Sequence, residues 1–411
     1  MGRPRSELIG KLRRELAFLR GNPLVLIVSW AIWSPFSHAV GVYEQVYVMA
    51  LGATVFILGL MSALSSAILG VVRFFGGYVA DRYGRKRILV SMTFTYSSAL
   101  FLYALAPDWR WIFVASLITS ACLLYQPALS AIHMDSIPPE KRGVGFSISS
   151  LLPELVALPA PLLAIYLVGR FGLVKGMRLA YALMALAGLT AGAVRLKLKE
   201  TWSPKEESVK DFLEGYKEAL RFASGSLRPL IMVLVLASLA MGFNAVIQPF
   251  VIFYLGVPLA RWGLIYLLGS VAWLAILIPA GALVDKLGRR ASYLLGVALT
   301  SASLATLAFI GRGSGFWLIA GTLLIFWCSS YLIYNPLSAL EADLVPRELR
   351  GRLSALLALL SDVASGLSAL LCGWLYKAVG PVSAVVMCST AALAAFLMGL
   401  AFLREPEVRH G

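Results

Sequence analysis

Charged residues are scarce in this chain of 411 residues: they make up 14% of it, against about 25% in soluble domains. Histidine and cysteine are rarer still, with three and four residues, and none is spaced as a metal site requires. No nucleophile paired with a base and no phosphate-binding loop is recognisable either. These absences exclude a soluble enzyme, and we expect a protein that is no enzyme and uses no metal or other cofactor.

Long apolar runs dominate the sequence. Hydrophobic residues fill 59% of it, and the mean hydropathy is +0.82. About 20 apolar residues cross a bilayer as a helix, and these runs are continuous rather than alternating as in barrel strands. The sequence therefore predicts an all-α polytopic membrane protein. The twelve predicted spans lie at roughly residues 23–50, 53–80, 88–106, 111–134, 144–168, 179–194, 229–254, 262–284, 291–310, 315–340, 353–376 and 382–403.

Basic residues are concentrated in every second connection between these spans. Of the 36 Lys and Arg residues, 28 lie on the side of the N-terminus, seven lie on the other side, and Arg73 lies within a span. Because basic connections are retained in the cytoplasm, we predict a plasma-membrane protein with both termini cytoplasmic. The net charge of +15 then follows from topology, and we expect no nucleic-acid partner.

Hydrophilic segments divide the chain into five parts. Residues 1–22 are basic with apolar positions at helical spacing, which predicts an amphipathic helix on the inner leaflet. Six-helix bundles at 23–198 and 229–403 are joined by a charged cytoplasmic linker at 199–228, also at helical spacing, and a cytoplasmic tail at 404–411 follows. We expect a monomer surrounded by the lipid bilayer.

Two motifs occur once in each half of the chain. The first follows spans 2 and 8 with an offset of 204 residues, and the second follows spans 4 and 10 with an offset of 208. Repetition in register predicts two related halves. The first motif comprises Gly77, Asp81, Arg82, Gly84, Arg85 and Lys86, repeated as Gly281, Asp285, Lys286, Gly288, Arg289 and Arg290. The second comprises Asp135 and Arg142, repeated as Asp343 and Arg350.

The pattern G-x-x-x-D-[RK]-x-G-[RK]-[RK] between the second and third spans resembles the signature of the major facilitator superfamily, and the resemblance covers the whole chain. It implies two pseudo-symmetric six-helix halves that move a small molecule by alternating access. It also implies that the two motifs form a cytoplasmic gate. Asp81 would meet the start of span 11 and Asp285 the start of span 5, while Gly77 and Gly281 would let neighbouring helices approach closely.

Charged residues inside the predicted spans are functional candidates, because a charge at the bilayer centre costs at least about 2.5–3.5 kcal/mol. Four spans carry one each, namely Glu44, Arg73, Glu154 and Asp362. Arg73 and Asp362 reach similar depths in spans 2 and 11, so we predict an ion pair between them.

Glu154 lies 208 residues before Asp362 and is its equivalent by the repeat. It has no matching arginine, because Leu277 takes the position equivalent to Arg73. A lone carboxylate in a low-dielectric environment favours its protonated form, so we predict that Glu154 carries the coupling proton. His38 in span 1 is the predicted partner of Glu154.

In the superfamily, spans 1, 4, 7 and 10 line the transport cavity, which makes their polar and aromatic residues binding candidates. These are Tyr43, Glu44, Tyr47, Tyr125, Gln126, Asn244, Gln248, Tyr331, Tyr334 and Asn335. Aromatic and carboxylate residues favour a weakly apolar, cationic small molecule. Drug–proton antiporters of the superfamily usually carry an arginine in span 4 and a glycine-rich G-P motif late in span 5. Both features are missing from this sequence, so the signature of an exporter is incomplete.

Three functions therefore remain open. Proton-coupled export of small organic molecules is placed ahead of uptake of a sugar or organic acid. The amides of the candidate cavity suit a sugar, and only Arg73 suits an acid. The third alternative is a receptor or scaffold that binds a ligand without moving it across the membrane.

Overall fold

A computed structural model describes residues 19–201, 209–346 and 349–405. Within these ranges twelve helices are long and apolar enough to cross a membrane, and no residue forms a strand. The predicted all-α fold with twelve spans is confirmed. Most of the predicted amphipathic segment and most of the C-terminal tail lie outside the described residues.

The spans, numbered in chain order, alternate in direction and are joined by short turns. They are Asn22–Gly41 continued by Glu44–Ala50, Val55–Tyr83, Arg85–Leu105, Trp109–Asp135, Pro139–Phe171, Leu173–Arg195, Arg228–Ala245 continued by Ile247–Pro249 and Phe250–Tyr254, Leu259–Leu287, Arg289–Phe309, Phe316–Leu344, Arg350–Ala378 and Pro381–Phe402. Spans 1–6 form the N-terminal half and spans 7–12 the C-terminal half. We call the end of the bundle that holds Gly84 and Gly288 the signature side, and the opposite end the far side.

Span 6 is longer than the sequence analysis predicted. It begins at Leu173 instead of residue 179, and it ends at Arg195 instead of residue 194. The helix therefore takes in Lys175, Arg178 and Arg195. Span 6 was not among the four spans predicted to carry a charge, because hydropathy alone ends a span at the first charged residue.

Two spans are interrupted within the membrane. Span 5 consists of Arg142–Ala157 and Ala160–Phe171, and the break falls at Leu158 and Pro159, where proline cannot donate the next helical hydrogen bond. Span 1 is interrupted at Val42 and Tyr43 before its last turns at Glu44–Ala50. Both breaks lie in spans that border the cavities described below.

Small residues bring the two halves together where span 2 packs along span 11. A methyl group added to Gly59 would collide with the carbonyl oxygen of Ala369, and one added to Gly373 would lie 3.2 Å from the Cα of Gly59. These positions are in the far-side part of both spans. At Gly77 and Gly281, by contrast, an added methyl group would meet nothing within 4 Å. The close approach predicted at the two signature glycines is therefore absent in this structure.

Gly59→Ala is expected to lower stability by about 1–3 kcal/mol, because the backbone of span 11 must shift to admit the methyl group. Gly169→Ala is the matched control. Gly169 is an exposed helical glycine with nothing within 4 Å, and alanine there should change stability by less than about 1 kcal/mol in the favourable direction. Thermal unfolding in detergent measures both, and equal melting temperatures would contradict the close crossing.

The linker contains a helix at Val209–Ser226. The Tyr216 ring lies 4.1 Å from the Phe74 ring of span 2, and Gly215 packs against the guanidinium of Arg352 in span 11. The linker helix thus touches both halves on the signature side, as a segment joining two bundles requires.

Candidate functional site

A central cavity of about 360 Å³ lies between the two halves. His38 of span 1 and Glu154 of span 5 form its N-terminal wall. Aromatic residues of spans 8 and 10 form the opposite wall, namely Tyr266, Trp273 and Trp327. An acidic and basic pair therefore faces an aromatic surface across the interface, which suits a small molecule with both apolar and polar parts.

His38 and Glu154 are brought together, with 3.7 Å between Nε2 and Oε2. Their side chains are 32% and 29% exposed, so both reach the water of the cavity. The break in span 5 follows Glu154 by four residues and leaves its carboxylate at the cavity wall. An imidazole and a carboxylate side by side at the wall of a wet cavity are the kinds of group that proton coupling requires.

Arg73 and Asp362 also lie together, as an ion pair across the two halves. Arg73 Nη1 donates to Asp362 Oδ2 at 2.8 Å, and Arg73 Nε donates to Gln126 Oε1 of span 4 at 2.9 Å. Gly70 makes the approach possible, because a methyl group there would lie 2.6 Å from Leu359 of span 11. The arginine thus connects spans 2, 4 and 11 near the middle of the bundle.

Glu44 is exposed, and the Tyr181 hydroxyl of span 6 lies close to its carboxylate. Tyr181 is otherwise packed against Tyr103, with ring centroids 4.7 Å apart. No carboxylate or base in the described part of the chain forms an ion pair with Glu44. The acid therefore lies beside a tyrosine cluster of the N-terminal half, and Tyr266 of the central cavity is within electrostatic reach of both Glu44 and Glu154.

The far side is closed by neutral hydrogen bonds from span 1 to spans 7 and 8. Gln45 N donates to Gln248 Oε1 at 3.0 Å, and Gln248 N donates to Gln45 Oε1 at 3.1 Å. Tyr43 donates to the carbonyl of Leu259 at 2.8 Å, and Trp262 donates to the carbonyl of Val42 at 2.6 Å. We call this set the far-side closure.

Three predicted cavity residues prove to be buried in the protein core. Tyr43 and Gln248 belong to the far-side closure, and Tyr47 donates to the carbonyl of Tyr103 at 2.7 Å. The prediction that they line a cavity is corrected for this conformation, because spans 1 and 7 are in contact where the sequence analysis expected an open cavity.

The other predicted cavity residues are distributed over several sites. Tyr125 and Gln126 line a second cavity within the N-terminal half. Asn244 accepts from the Gln45 side chain through its carbonyl at 2.6 Å. Tyr331 packs on Trp273 of the central cavity, with ring centroids 5.6 Å apart, and Asn335 lies beside Tyr331. Tyr334 lines a smaller cavity of about 180 Å³ in the C-terminal half.

The signature loops are held by ion pairs within each half. Arg85 donates to Asp81 at 2.9 Å and to Asp135 at 2.6 Å, which connects the loop after span 2 to the end of span 4. In the C-terminal half the equivalent Arg289 pairs with Asp343. Gly84 and Gly288 form the two turns with φ of 93° and 83°, a conformation that favours glycine.

The polar contacts of Asp81 differ from the prediction. Its carboxylate accepts from Arg85 within the same half, and among the described residues it forms no hydrogen bond or ion pair with the start of span 11. The reason is that the two halves are apart at this end, as the open surroundings of Gly77 and Gly351 indicate. The side chain of Asp285 lies outside the part of the chain that the structure describes.

The remaining gate candidates make local contacts. Arg82 donates to Tyr78 of its own helix at 2.9 Å. Arg290 and Arg350 donate to backbone carbonyls of Leu400 and Ala342 at 2.8 and 2.6 Å, and Arg142 keeps a buried Nε without a hydrogen bond to a described group. Lys286 is exposed at the end of span 8.

Two glutamates at the signature side were missed. Glu200 accepts from the backbone N–H of Lys86 at 3.0 Å, and Glu405 accepts from those of Arg289 and Arg290 at 2.8 Å each. Each carboxylate thus caps the start of the third span of its half, where free N–H groups favour an anion. Their offset of 205 residues is the signal that a closer comparison of the halves would have found.

Asp81→Asn is expected to lower transport turnover about tenfold, which corresponds to about 1.4 kcal/mol, while substrate affinity stays nearly unchanged. The reason is that Asp81 holds Arg85 in place at the loop and touches no cavity. Asp108→Asn on the far side is the control, because asparagine also caps a helix start. An unchanged turnover for Asp81→Asn would remove the residue from the gate.

The second cavity, of about 220 Å³, lies inside the N-terminal half between spans 1, 3, 4 and 6. Arg195 forms part of its wall although the residue is only 4% exposed. Sequence analysis placed Arg195 just outside span 6, before the linker, because it follows directly on the apolar run of that span. We call this space the N-half cavity.

Comparisons with known proteins agree with this architecture. The model of the family described as Major Facilitator Superfamily matches residues 24–369 and 230–411. The structure of the nucleoside transporter NupG is similar with a TM-score of 0.77, at 12% identity, over 92% of this chain and 99% of that one. A POT family transporter in complex with 5-aminolevulinic acid is similar with a TM-score of 0.75, at 13% identity, over 95% and 96% of the two chains.

Two curated relatives match part of the sequence. A Na(+), Li(+), K(+)/H(+) antiporter of Planococcus maritimus is 34% identical over 111 residues, which are 25% of this chain and 26% of the antiporter. The MFS-type transporter YqjV of Bacillus subtilis (strain 168) is 26% identical over 126 residues, or 30% and 31% of the two chains. The matches thus cover between a quarter and a third of these relatives. Fold, spans and family model together establish that the chain is a multi-pass membrane transporter protein that belongs to the Major Facilitator Superfamily.

Proposed function

We propose that the protein is a proton-coupled secondary transporter of small organic molecules that works by alternating access in a plasma membrane. The observation that carries this proposal is the contact between His38 and Glu154 in the wall of the central cavity. The pair lies at the interface of the two halves, where a change in protonation and a change in access can be linked. The aromatic wall opposite the pair provides the apolar part of a binding surface.

The arrangement of contacts supports an alternating-access cycle. On the far side, spans 1 and 7 are joined by the far-side closure. On the signature side, Gly77, Gly143, Gly281 and Gly351 have open space around them, so the halves are apart there. With the signature side in the cytoplasm, as the basic residues predict, this is an inward-facing state. In it Glu154 releases its proton to the cytoplasm and the cavity admits substrate.

We place export ahead of uptake. In an exporter, the far side opens with substrate bound, the substrate leaves, and Glu154 takes up a proton from outside before the cycle returns. The antiporter of Planococcus maritimus, which matches a quarter of the chain, exchanges cations for protons, and this supports proton exchange as one half of the cycle. Uptake of an organic acid is the second candidate, favoured by the arginine in the wall of the N-half cavity.

The test is proton movement in proteoliposomes that enclose a pH-sensitive dye. The panel of added solutes comprises lipophilic cations, sugars, aromatic and aliphatic acids, and Na⁺, Li⁺ and K⁺ salts. We expect one class to drive a proton flux that protein-free liposomes lack. Solute movement without protons would overturn the coupling, and binding without movement would identify a receptor instead of a transporter.

A further inference from the structure

The N-half cavity contains a positive charge in unusual surroundings. Arg195 Nε donates to Ser29 Oγ at 3.1 Å, and Nη1 donates to Thr93 Oγ1 at 2.8 Å. The Tyr125 ring lies with its centroid 5.8 Å from the guanidinium carbon. All three partners are neutral, and no carboxylate of the described residues lies within ion-pair distance of Arg195.

A buried guanidinium without a counter-charge is expensive for the protein. Removing an ion from water costs several kcal/mol, which neutral hydroxyl groups and one aromatic ring offset only in part. Arginine also remains protonated, so it cannot avoid the cost by losing its proton. Arg73, by contrast, has a counter-charge, because it pairs with Asp362. The described part of the chain therefore supplies no anion for Arg195, and a ligand could provide one.

The walls of the N-half cavity indicate which anion would fit. Trp30, Trp33, Tyr96 and Tyr125 surround the space, and Gln126 and Ser97 add hydrogen-bonding groups. The volume of about 220 Å³ would hold about seven waters at roughly 30 Å³ each, so the ligand must be small. Planar carboxylates match the guanidinium fork in geometry, and aromatic rings pack well on tryptophan and tyrosine.

We propose that the N-half cavity binds a small aromatic carboxylate, with its carboxylate on Arg195 and its ring among the aromatic side chains. As a substrate site, this inference rests on the proposed transport function. As a binding site it stands separately, because binding is measured without a membrane gradient. The inference differs from the expected cationic substrate, which was based on the aromatic and carboxylate candidates of spans 1, 4, 7 and 10.

Calorimetric titration of the full-length protein in detergent at pH 7.5 tests the proposal, with heats from empty micelles subtracted. Benzoate is the probe, benzamide is its neutral counterpart of nearly equal shape, and acetate is the anion without a ring. We expect saturable binding of benzoate, and binding of benzamide and acetate at least about tenfold weaker, because each lacks one of the two recognised parts. Equal affinity for benzoate and benzamide, or no benzoate binding, would overturn the proposal.

Two substitutions of Arg195 separate charge from packing. Arg195→Gln should lose the preference for benzoate over benzamide, while Arg195→Lys should keep part of it, since lysine retains the charge without the bidentate fork. Lys197→Gln removes an exposed charge two residues away and should leave benzoate binding unchanged. If Arg195→Gln fails to fold, the benzoate and benzamide comparison on the unaltered protein still decides.

The outcomes for site and function can be told apart. Benzoate binding without any proton flux in proteoliposomes would leave the site in place and overturn the transport proposal. Proton flux driven by another solute, with no binding of benzoate, would support transport and overturn the carboxylate site.

Discussion

Replacing Glu154 with glutamine is expected to reduce the substrate-dependent proton flux to the level of protein-free liposomes. Glutamine keeps the size of glutamate and one acceptor oxygen but cannot take up a proton. Among the described residues Glu154 is the one carboxylate in the wall of the central cavity, and His38 at 3.7 Å is its one titratable partner there. The dye-loaded proteoliposomes measure the flux, and substrate exchange across the membrane without a pH gradient should persist.

The matched control for this prediction is Glu140→Gln. Glu140 is an exposed glutamate in the turn Pro139–Lys141 at the start of span 5 and lines neither the central nor the N-half cavity, so its neutralisation changes the net charge equally. His38→Asn should slow proton flux less than Glu154→Gln, because the carboxylate remains and water in the cavity can replace the imidazole. A normal flux in Glu154→Gln would show that the proton travels by another route.

Neutralising either member of the Arg73–Asp362 pair is expected to slow transport about thirtyfold, and exchanging the two residues should restore most of the rate. The pair is a charge-assisted hydrogen bond of 2.8 Å between the halves, and the net contribution of such a bond to stability is about 2 kcal/mol. The side chains are 32% and 19% exposed, so screening by water keeps the figure below that of a fully buried pair. A loss of about 2 kcal/mol in one state of the cycle corresponds to about thirtyfold in rate.

Three variants measure this prediction in the same flux assay: Arg73→Gln, Asp362→Asn, and the double exchange of Arg73→Asp with Asp362→Arg. Arg110→Gln, which removes an exposed arginine on the far side, is the control for a lost positive charge. Slow single variants together with a slow exchange variant would mean that Arg73 acts chiefly through Gln126 of its own half.

The internal repeat explains why several contacts could be predicted from the sequence. An offset of 208 residues relates Glu154 to Asp362, and offsets of 204 and 208 relate Arg85 and Asp135 to Arg289 and Asp343. Residues related in this way occupy equivalent depths in the two halves. Depth and helix face therefore sufficed to place Arg73 opposite Asp362, and both equivalent ion pairs occur at the signature loops.

Other parts of the site depend on information that a linear pattern does not contain. The far-side closure depends on which conformation is occupied, and the same residues would line an open cavity in another state. In the sequence Arg195 resembles the basic residues that flank spans on the cytoplasmic side. Its burial cannot be read from the sequence, because it depends on contacts with Ser29 and Thr93 in spans 1 and 3. The signature glycines Gly77 and Gly281 would have close neighbours only if the halves met at the signature side, whereas span 2 here approaches span 11 closely at Gly59 and Gly70.

The far-side closure also bears on the response to membrane voltage. Voltage acts on charge that moves across the membrane, at about 2.3 kcal/mol per elementary charge per 100 mV. Tyr43, Gln45, Gln248 and Trp262 are neutral, so breaking their hydrogen bonds displaces no formal charge. Arg73 and Asp362 sum to zero if they move together. An electrogenic current in this transporter should therefore come from the proton on the Glu154–His38 pair, the charge of the substrate, and any movement of Glu44 or Arg195, which have no counter-charge in the described part of the chain.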